Sequence, residues 1–131
     1  MNRVFISGLG VELPEASISN EELVASFNAW VEAENAKRVP VGEPALQGSD
    51  VDFIVHASGI KSRRVIEREG ILDPARMAPR IPARGDDELS LQAEFGVKAG
   101  LKALEHARLA PADIDMVICA ASHHQRPYPA I

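Results

Sequence analysis

Val4-Phe5-Ile6-Ser7-Gly8-Leu9-Gly10 is a β-branched and aromatic run closed by two glycines, the pattern of a buried strand that ends in a tight turn. A second continuous apolar run, Met116-Val117-Ile118-Cys119-Ala120-Ala121, predicts another strand, of the kind covered on both faces in a parallel sheet. Between them the sequence reads mostly helical. In Ser19-Asn20-Glu21-Glu22 the serine hydroxyl and the glutamate three residues later are spaced to satisfy the free amides of a helix start. Leu23, Phe27, Trp30 and Val31 then recur at helical spacing, so Trp30 reads as core rather than as a platform for a ligand. Val39-Pro40-Val41-Gly42-Glu43-Pro44 stops that helix, and about Val51 to Ser58 a shorter one follows, with Gly59 as its C-terminal cap.

Residues 70–85 hold three prolines, two glycines and three arginines. They predict an irregular excursion, a length that inside a compact domain is usually functional or an interface. A long helix is expected from Asp86 or Asp87, with Leu89, Ala93, Val97, Leu101 and Leu104 inward and Lys98, Lys102, Glu105 and Arg108 outward. Gly96 and Gly100 cost about 1 kcal/mol each in a helix interior relative to alanine, so they predict close approach to another backbone and a helix buried on more than one side. Residues 109–115 make the turn into the second strand. Two strands joined by helices make an α/β chain, but only a fraction of a sheet. With hydrogen-bonding edges open on both sides, such a segment needs additional chain or a partner to complete it.

Composition agrees with an ordinary folded domain. The 131 residues are 46% apolar, 25% charged and 5% aromatic, which excludes fibrous, collagen-like and disordered classes. No run approaches the roughly 20 apolar residues of a membrane helix, and the apolar part of the N-terminus is too short for a secretion signal. The expectation is a cytoplasmic protein without a membrane. Cys119 is the single cysteine and permits no internal disulfide. Charge is zoned: residues 1–60 carry nine acids and three bases, 61–84 seven bases and three acids, and 85–131 seven acids and four bases. A basic zone in an acidic chain suits a phosphate-bearing ligand or an acidic protein partner better than nucleic acid, and equally describes a solvated loop with scattered arginines.

Reactive side chains are few. His123-His124 follow the second strand, where ligands commonly sit in open α/β sheets. Adjacent histidines point apart, and no acid or cysteine stands at metal-ligand spacing, so no metal site is expected. Cys119, inside an apolar strand, reads as a small core residue without a base to activate it. Gly8-Leu9-Gly10 is followed by Val11-Glu12-Leu13 rather than the glycine that a phosphate-binding or dinucleotide loop requires.

The order of the pieces says more than any one of them. Ile6-Ser7-Gly8-Leu9-Gly10 with Leu13-Pro14, Ser19-Asn20-Glu21-Glu22-Leu23, Ser58-Gly59-Ile60-Lys61-Ser62-Arg63-Arg64, Ala103-Leu104-Glu105-His106-Ala107, Asp113-Ile114-Asp115 and Tyr128-Pro129-Ala130 together resemble the opening of a β-ketoacyl-acyl-carrier-protein synthase III. The resemblance runs over nearly the whole chain. It implies the N-terminal part of a thiolase-like, layered α/β/α fold over residues 1–131, with insertions near 31–51 and 69–85 that resemble those of members working on medium-length acyl chains. It also implies a homodimer, no cofactor, and a reaction of thioester exchange followed by decarboxylative condensation with malonyl-acyl-carrier protein. In that family a cysteine thiolate takes the acyl group, while a histidine and an asparagine stabilise the charge formed as carbon dioxide leaves. All three are expected beyond Ile131; Cys119 does not match the family's cysteine, so no catalytic residue is assigned within this chain.

Binding residues carry over where positions match. The family's tryptophan that stacks on the adenine of coenzyme A corresponds to Phe53, which equally reads as a core phenylalanine. The arginine four residues later corresponds to Ala57, and its loss puts coenzyme A priming in doubt. Lys61, Arg63 and Arg64 are then candidates for the pantetheine phosphate or the acidic acyl-carrier protein, with surface salt bridging as the alternative. Tyr128 matches a phenylalanine that closes the neighbouring protomer's acyl tunnel, or else packs in a turn between Pro127 and Pro129. Two other functions stay open: a non-catalytic partner subunit on the same scaffold, and a thiolase-type enzyme that uses coenzyme A esters only.

Overall fold

The structure, a computed structural model, describes residues 4–121. The chain divides into two compact units, Pro14–Pro82 and a second formed by Met1–Leu13 with Ala83–Ile131.

In the first unit, β1 (Ala16–Ser19) pairs antiparallel with β2 (Ser62–Val65), Ala16 opposite Val65 and Ser19 opposite Ser62. β1 runs directly into α1 (Asn20–Arg38). The predicted capping box forms: the Glu22 amide donates to Ser19 Oγ at 3.2 Å, and the Ser19 amide to Glu22 Oε2 at 2.9 Å. Ile18, 1% exposed, and Val31 are the buried apolar residues. Between them Asn20, 2% exposed, ties the start of α1 to the approach of β2. Its Nδ2 donates to the Ile60 carbonyl at 2.7 Å, and its Oδ1 accepts from Arg63 Nη1 at 2.9 Å. Trp30 is half-buried, its ring 5.7 Å from that of Phe27.

α1 ends where Val39-Pro40-Val41 tightens into a 3-10 turn closed by Gly42 at φ 82°. α2 (Val51–Ser58) has the expected bounds: Asp50 caps it by accepting from the Phe53 amide at 2.7 Å, and Gly59 closes it at φ 69°. The excursion after β2 is more ordered than its prolines predict. It opens with the single turn α3 (Glu69–Leu72), and the Glu67 carboxylate accepts from the amides of Gly70 (2.9 Å) and Arg80 (2.7 Å). The loop closes so tightly that a Cβ on Gly70 would lie 2.5 Å from the Ala78 carbonyl.

The second unit is built on α4 (Leu91–Ala107). It starts later than expected, because Asp86 to Glu88 form a turn in which the Glu88 side chain accepts from the Gly85 amide at 2.8 Å. Ser90, whose Oγ accepts from the Ala93 amide at 3.1 Å, supplies the cap instead. Residues 8–12 run antiparallel to α4: the Leu9 amide donates to His106 Nδ1 at 3.0 Å, and Lys102 Nζ reaches the Val11 carbonyl at 3.2 Å and the Glu12 carboxylate at 2.5 Å.

Three expectations are corrected here. Neither 4–10 nor 116–121 is a strand, and their side chains are exposed, Phe5 to 77% and Val117 to 84%. A strand is made by a partner backbone, and among the described residues the β1–β2 ladder is the only sheet, antiparallel rather than parallel. Cys119 is accordingly exposed, not buried. Finally, α4 has no buried residue, and a Cβ on Gly96 or Gly100 would meet nothing within 4 Å. The close approach lies on the other partner, where a Cβ on Gly8 would lie 2.3 Å from the Ala103 carbonyl and one on Gly10 2.1 Å from that of Ala99.

Candidate functional site

The first unit holds an open cleft of about 620 Å³ between α1, the strap of residues 47–50, α2 and Met77. Its apolar lining comes from Leu23, Val24 and Phe27 of α1, Phe53 and Ile54 of α2, and Met77. Leu23 and Phe27 are half-buried. The stripe read as core in the sequence is therefore shared between core and cleft wall. Phe53 is 64% exposed and is one of the residues that line the cleft. An apolar concavity with a few polar groups at its rim is the usual form of a small-molecule site.

The strap has no ladder of its own and is fastened to α1 by side-chain amides. Asn28 Nδ2 donates to the Ser49 carbonyl at 2.9 Å, while its Oδ1 accepts from the Ser49 amide at 2.8 Å. Asn35, seven residues on and so on the same face of α1, holds Leu46 in the same way, at 3.0 and 2.8 Å. These two asparagines were missed in the sequence. Their heptad spacing on one helix, opposite a stretch without regular structure, was the available signal.

The three basic candidates are not gathered into one fork. Arg63 and Arg64 are successive residues of β2 and point to opposite faces. Arg63 is half-buried on Asn20, and Arg64 is exposed and donates from Nη1 to the Glu15 carbonyl at 2.8 Å. Lys61 is exposed and among the described residues has no hydrogen-bond partner. Ala57 lies one turn after Phe53 on α2 and is exposed. Arg68, which the sequence did not single out, pairs with Glu22 and donates to the Ser17 carbonyl at 2.5 Å. The Glu22 carboxyl is held below its ordinary range by the Ser19 amide first and then by Arg68. Glu67 is lowered likewise by the amides of Arg80 and Gly70. Part of the basic zone is thus tied up in folding: Arg80 also pairs with Asp73 at 2.8 Å, and Arg84 with Glu94 at 2.7 Å.

Tyr128, His123 and His124 lie outside the described residues. Among the described residues no cluster of histidine, cysteine and acidic side chains could hold a metal ion, and no helix is long and apolar enough to cross a membrane.

No protein-family model matches the chain. Among curated proteins it is 50% identical over 110 residues to the β-ketodecanoyl-[acyl-carrier-protein] synthase of Pseudomonas aeruginosa, a match covering 81% of this chain and 31% of that protein. It is 33% identical over 130 residues to the β-ketoacyl-[acyl-carrier-protein] synthase III of Allorhizobium ampelinum, and 29% over 130 residues to that of Chelativorans sp.. Each of these two matches covers 99% of this chain and 28% of the relative. The chain therefore spans less than a third of the length of the curated relatives it matches, in their N-terminal part. On these matches the chain belongs, as an N-terminal part, to the β-ketoacyl-acyl-carrier-protein synthase III family.

Proposed function

We propose that the chain is the N-terminal part of a condensing enzyme that joins an acyl thioester to malonyl-acyl-carrier protein in fatty-acid or related biosynthesis. The observation that carries this reading is the 50% identity to a β-ketodecanoyl-[acyl-carrier-protein] synthase. On this reading residues 1–131 open a thiolase-like layered fold in a cytoplasmic homodimer, with 31–51 and 69–85 as insertions. The reactive cysteine, with its histidine and asparagine, comes from the part of the relatives' length that this chain does not span.

Within this chain the work is binding. The cleft around Phe53 offers the incoming thioester an apolar surface with an exposed ring for stacking. Lys61, with no partner among the described residues, meets the ligand's phosphate or an acidic residue of the carrier protein. Arg64 can join it from its exposed position. Arg63 uses one donor on Asn20 and has others left, since a guanidinium carries five. Tyr128 contributes to acyl-chain length at the neighbouring protomer's tunnel. Because Ala57 leaves α2 without a cation one turn after Phe53, carrier protein is the favoured acyl donor, and coenzyme A esters bind more weakly.

The test is condensation by the full-length protein. Supplied with malonyl-acyl-carrier protein and a series of acyl thioesters, it should release carbon dioxide and form the 3-oxoacyl product. No carbon dioxide release with any donor would overturn the reading and favour a non-catalytic partner subunit. Product formed from coenzyme A esters alone would instead favour the thiolase-type alternative.

A further inference from the structure

We infer that Asn28 is a positioning residue that sets the width of the Phe53 cleft, and with it the thioester that enters. This rests on the cleft being the thioester site. Asn28 is not itself in the cleft lining; it stands behind the wall. One primary amide contributes both a donor and an acceptor, and here both are used on the backbone of Ser49, at 2.9 and 2.8 Å. That pairing replaces the ladder partner that the strap lacks and fixes its distance from α1. The fit is close: a Cβ on Gly48 would lie 2.7 Å from Asn28 Oδ1 and 3.2 Å from Cγ, so a larger residue there would displace the Asn28 amide. The position is then passed on directly. Asp50, the next residue after Ser49, caps α2 by accepting from the Phe53 amide at 2.7 Å. The latch on α1 therefore places both the strap wall and the start of the helix that carries Phe53.

The molecule contains its own control. Asn35 makes the same two bonds to Leu46, yet Leu46 is not part of the cleft lining. Loss of either latch removes two hydrogen bonds, but only the first is made to a residue of the cleft lining. Small displacements of groups that align a ligand are costly to recognition even when the groups themselves are intact.

The experiment compares Asn28→Ala and Asn35→Ala in the full-length protein, with amide hydrogen exchange at Ser49 and Leu46 reporting whether each latch is lost. In Asn28→Ala the KM for the acyl thioester should rise about tenfold, with kcat and the KM for malonyl-acyl-carrier protein within about twofold. Asn35→Ala should lose comparable thermal stability while every kinetic constant stays within about twofold. An unchanged acyl KM in Asn28→Ala, or an equal rise in Asn35→Ala, overturns the inference. Should Asn28→Ala not fold, Asn28→Asp keeps the acceptor for the Ser49 amide, loses the donor to its carbonyl, and should raise the same KM by a smaller factor. Calorimetric titration of octanoyl-acyl-carrier protein, the favoured donor, into the unsubstituted protein and both asparagine variants separates the two failures. No binding by the unsubstituted protein removes the thioester reading itself, whereas equal binding by all three removes only the role of Asn28.

Discussion

The two units fold by different means. In Pro14–Pro82 the polar side chains do the joining: Asn20 ties α1 to β2, Asn28 and Asn35 fasten the strap, Glu67 closes the excursion, and Ser19 and Asp50 start the helices. Each is a side chain bonded to backbone, and such bonds are largely satisfied from within the unit. The unit of Met1–Leu13 and Ala83–Ile131 is instead rich in apolar side chains left in solvent. Val4, Phe5, Ile6, Met116, Val117 and Ile118 are all exposed, and α4 buries none of its residues. Apolar runs specify a strand only where a second backbone receives them; polar clamps specify a local structure by themselves. The first unit should therefore respond to single polar substitutions, and the second to changes in backbone approach.

Asn20→Ala should have the largest effect. It leaves the part-buried Ile60 carbonyl without its donor and the Arg63 guanidinium without its acceptor, a loss of about 2–3 kcal/mol of unfolding free energy. Urea titration of the full-length protein would measure it, and a change under about 0.5 kcal/mol would mean that the polar clamps are not what holds this unit. Gly10→Ala comes next and probes the other unit. The added methyl meets the Ala99 carbonyl at 2.1 Å and the Ala103 amide at 2.4 Å, so residues 8–12 must lift from α4 at a cost of about 1–3 kcal/mol. Faster amide exchange at Leu9, whose N–H otherwise bonds His106, would report the lift.

What was legible in the sequence follows the same division. The start of α1 and the bounds of α2 with its Gly59 cap were readable because each is decided by neighbours within a few residues. The β1–β2 ladder was not. Ala16-Ser17-Ile18-Ser19 and Ser62-Arg63-Arg64-Val65 are short and polar, and their pairing joins positions more than forty residues apart. The runs 4–10 and 116–121 were legible as apolar, but apolarity alone does not name the partner strand. In the site, Phe53 was reached through resemblance to a family motif. Asn28 was not, because its one mark, the repeat seven residues on at Asn35, does not say which backbone the pair holds. Of the basic zone, charge was visible and use was not: Arg63, Arg80 and Arg84 are engaged with Asn20, Asp73 and Glu94, and only geometry distinguishes them from Lys61.

A smaller effect tests whether the cap is part of the polar scaffold or incidental to it. Ser19→Ala removes the acceptor of the Glu22 amide while leaving Glu22 free to keep its own bond to the residue 19 amide. The cost should be about 1 kcal/mol. Glu22→Gln should cost more in the Ser19→Ala background than in the unsubstituted protein, because the remaining half of the cap and the Arg68 pair then rest on the same side chain. Strict additivity in the urea midpoints would separate cap and ion pair into independent features.

The smallest effect concerns pH and salt, and it divides the units by the source of their charge stabilisation. Glu22 and Glu67 are lowered chiefly by backbone amides, Glu94 chiefly by Lys98, which is raised in return. A carboxyl lowered in the folded state contributes stability that is whole above its unfolded value, near 4.5, and is lost as pH falls through the folded value. A lysine raised in the folded state does the reverse: its contribution is whole below 10.5 and is lost as pH rises through the folded value. Acid should therefore weaken both units, and alkali should weaken the second through Lys98. Salt distinguishes them further, since exposed ion pairs are screened while a bond from a fixed amide to a carboxylate is screened less. Exchange protection in α4 should fall on going to about 0.5 M sodium chloride, while that of Gly70 and Arg80, whose amides bond Glu67, should hold. Glu67→Gln should flatten the acid limb for the first unit and leave the alkaline limb of the second untouched; equal salt sensitivity in both would mean that the amides, like the lysine, act mainly through long-range charge.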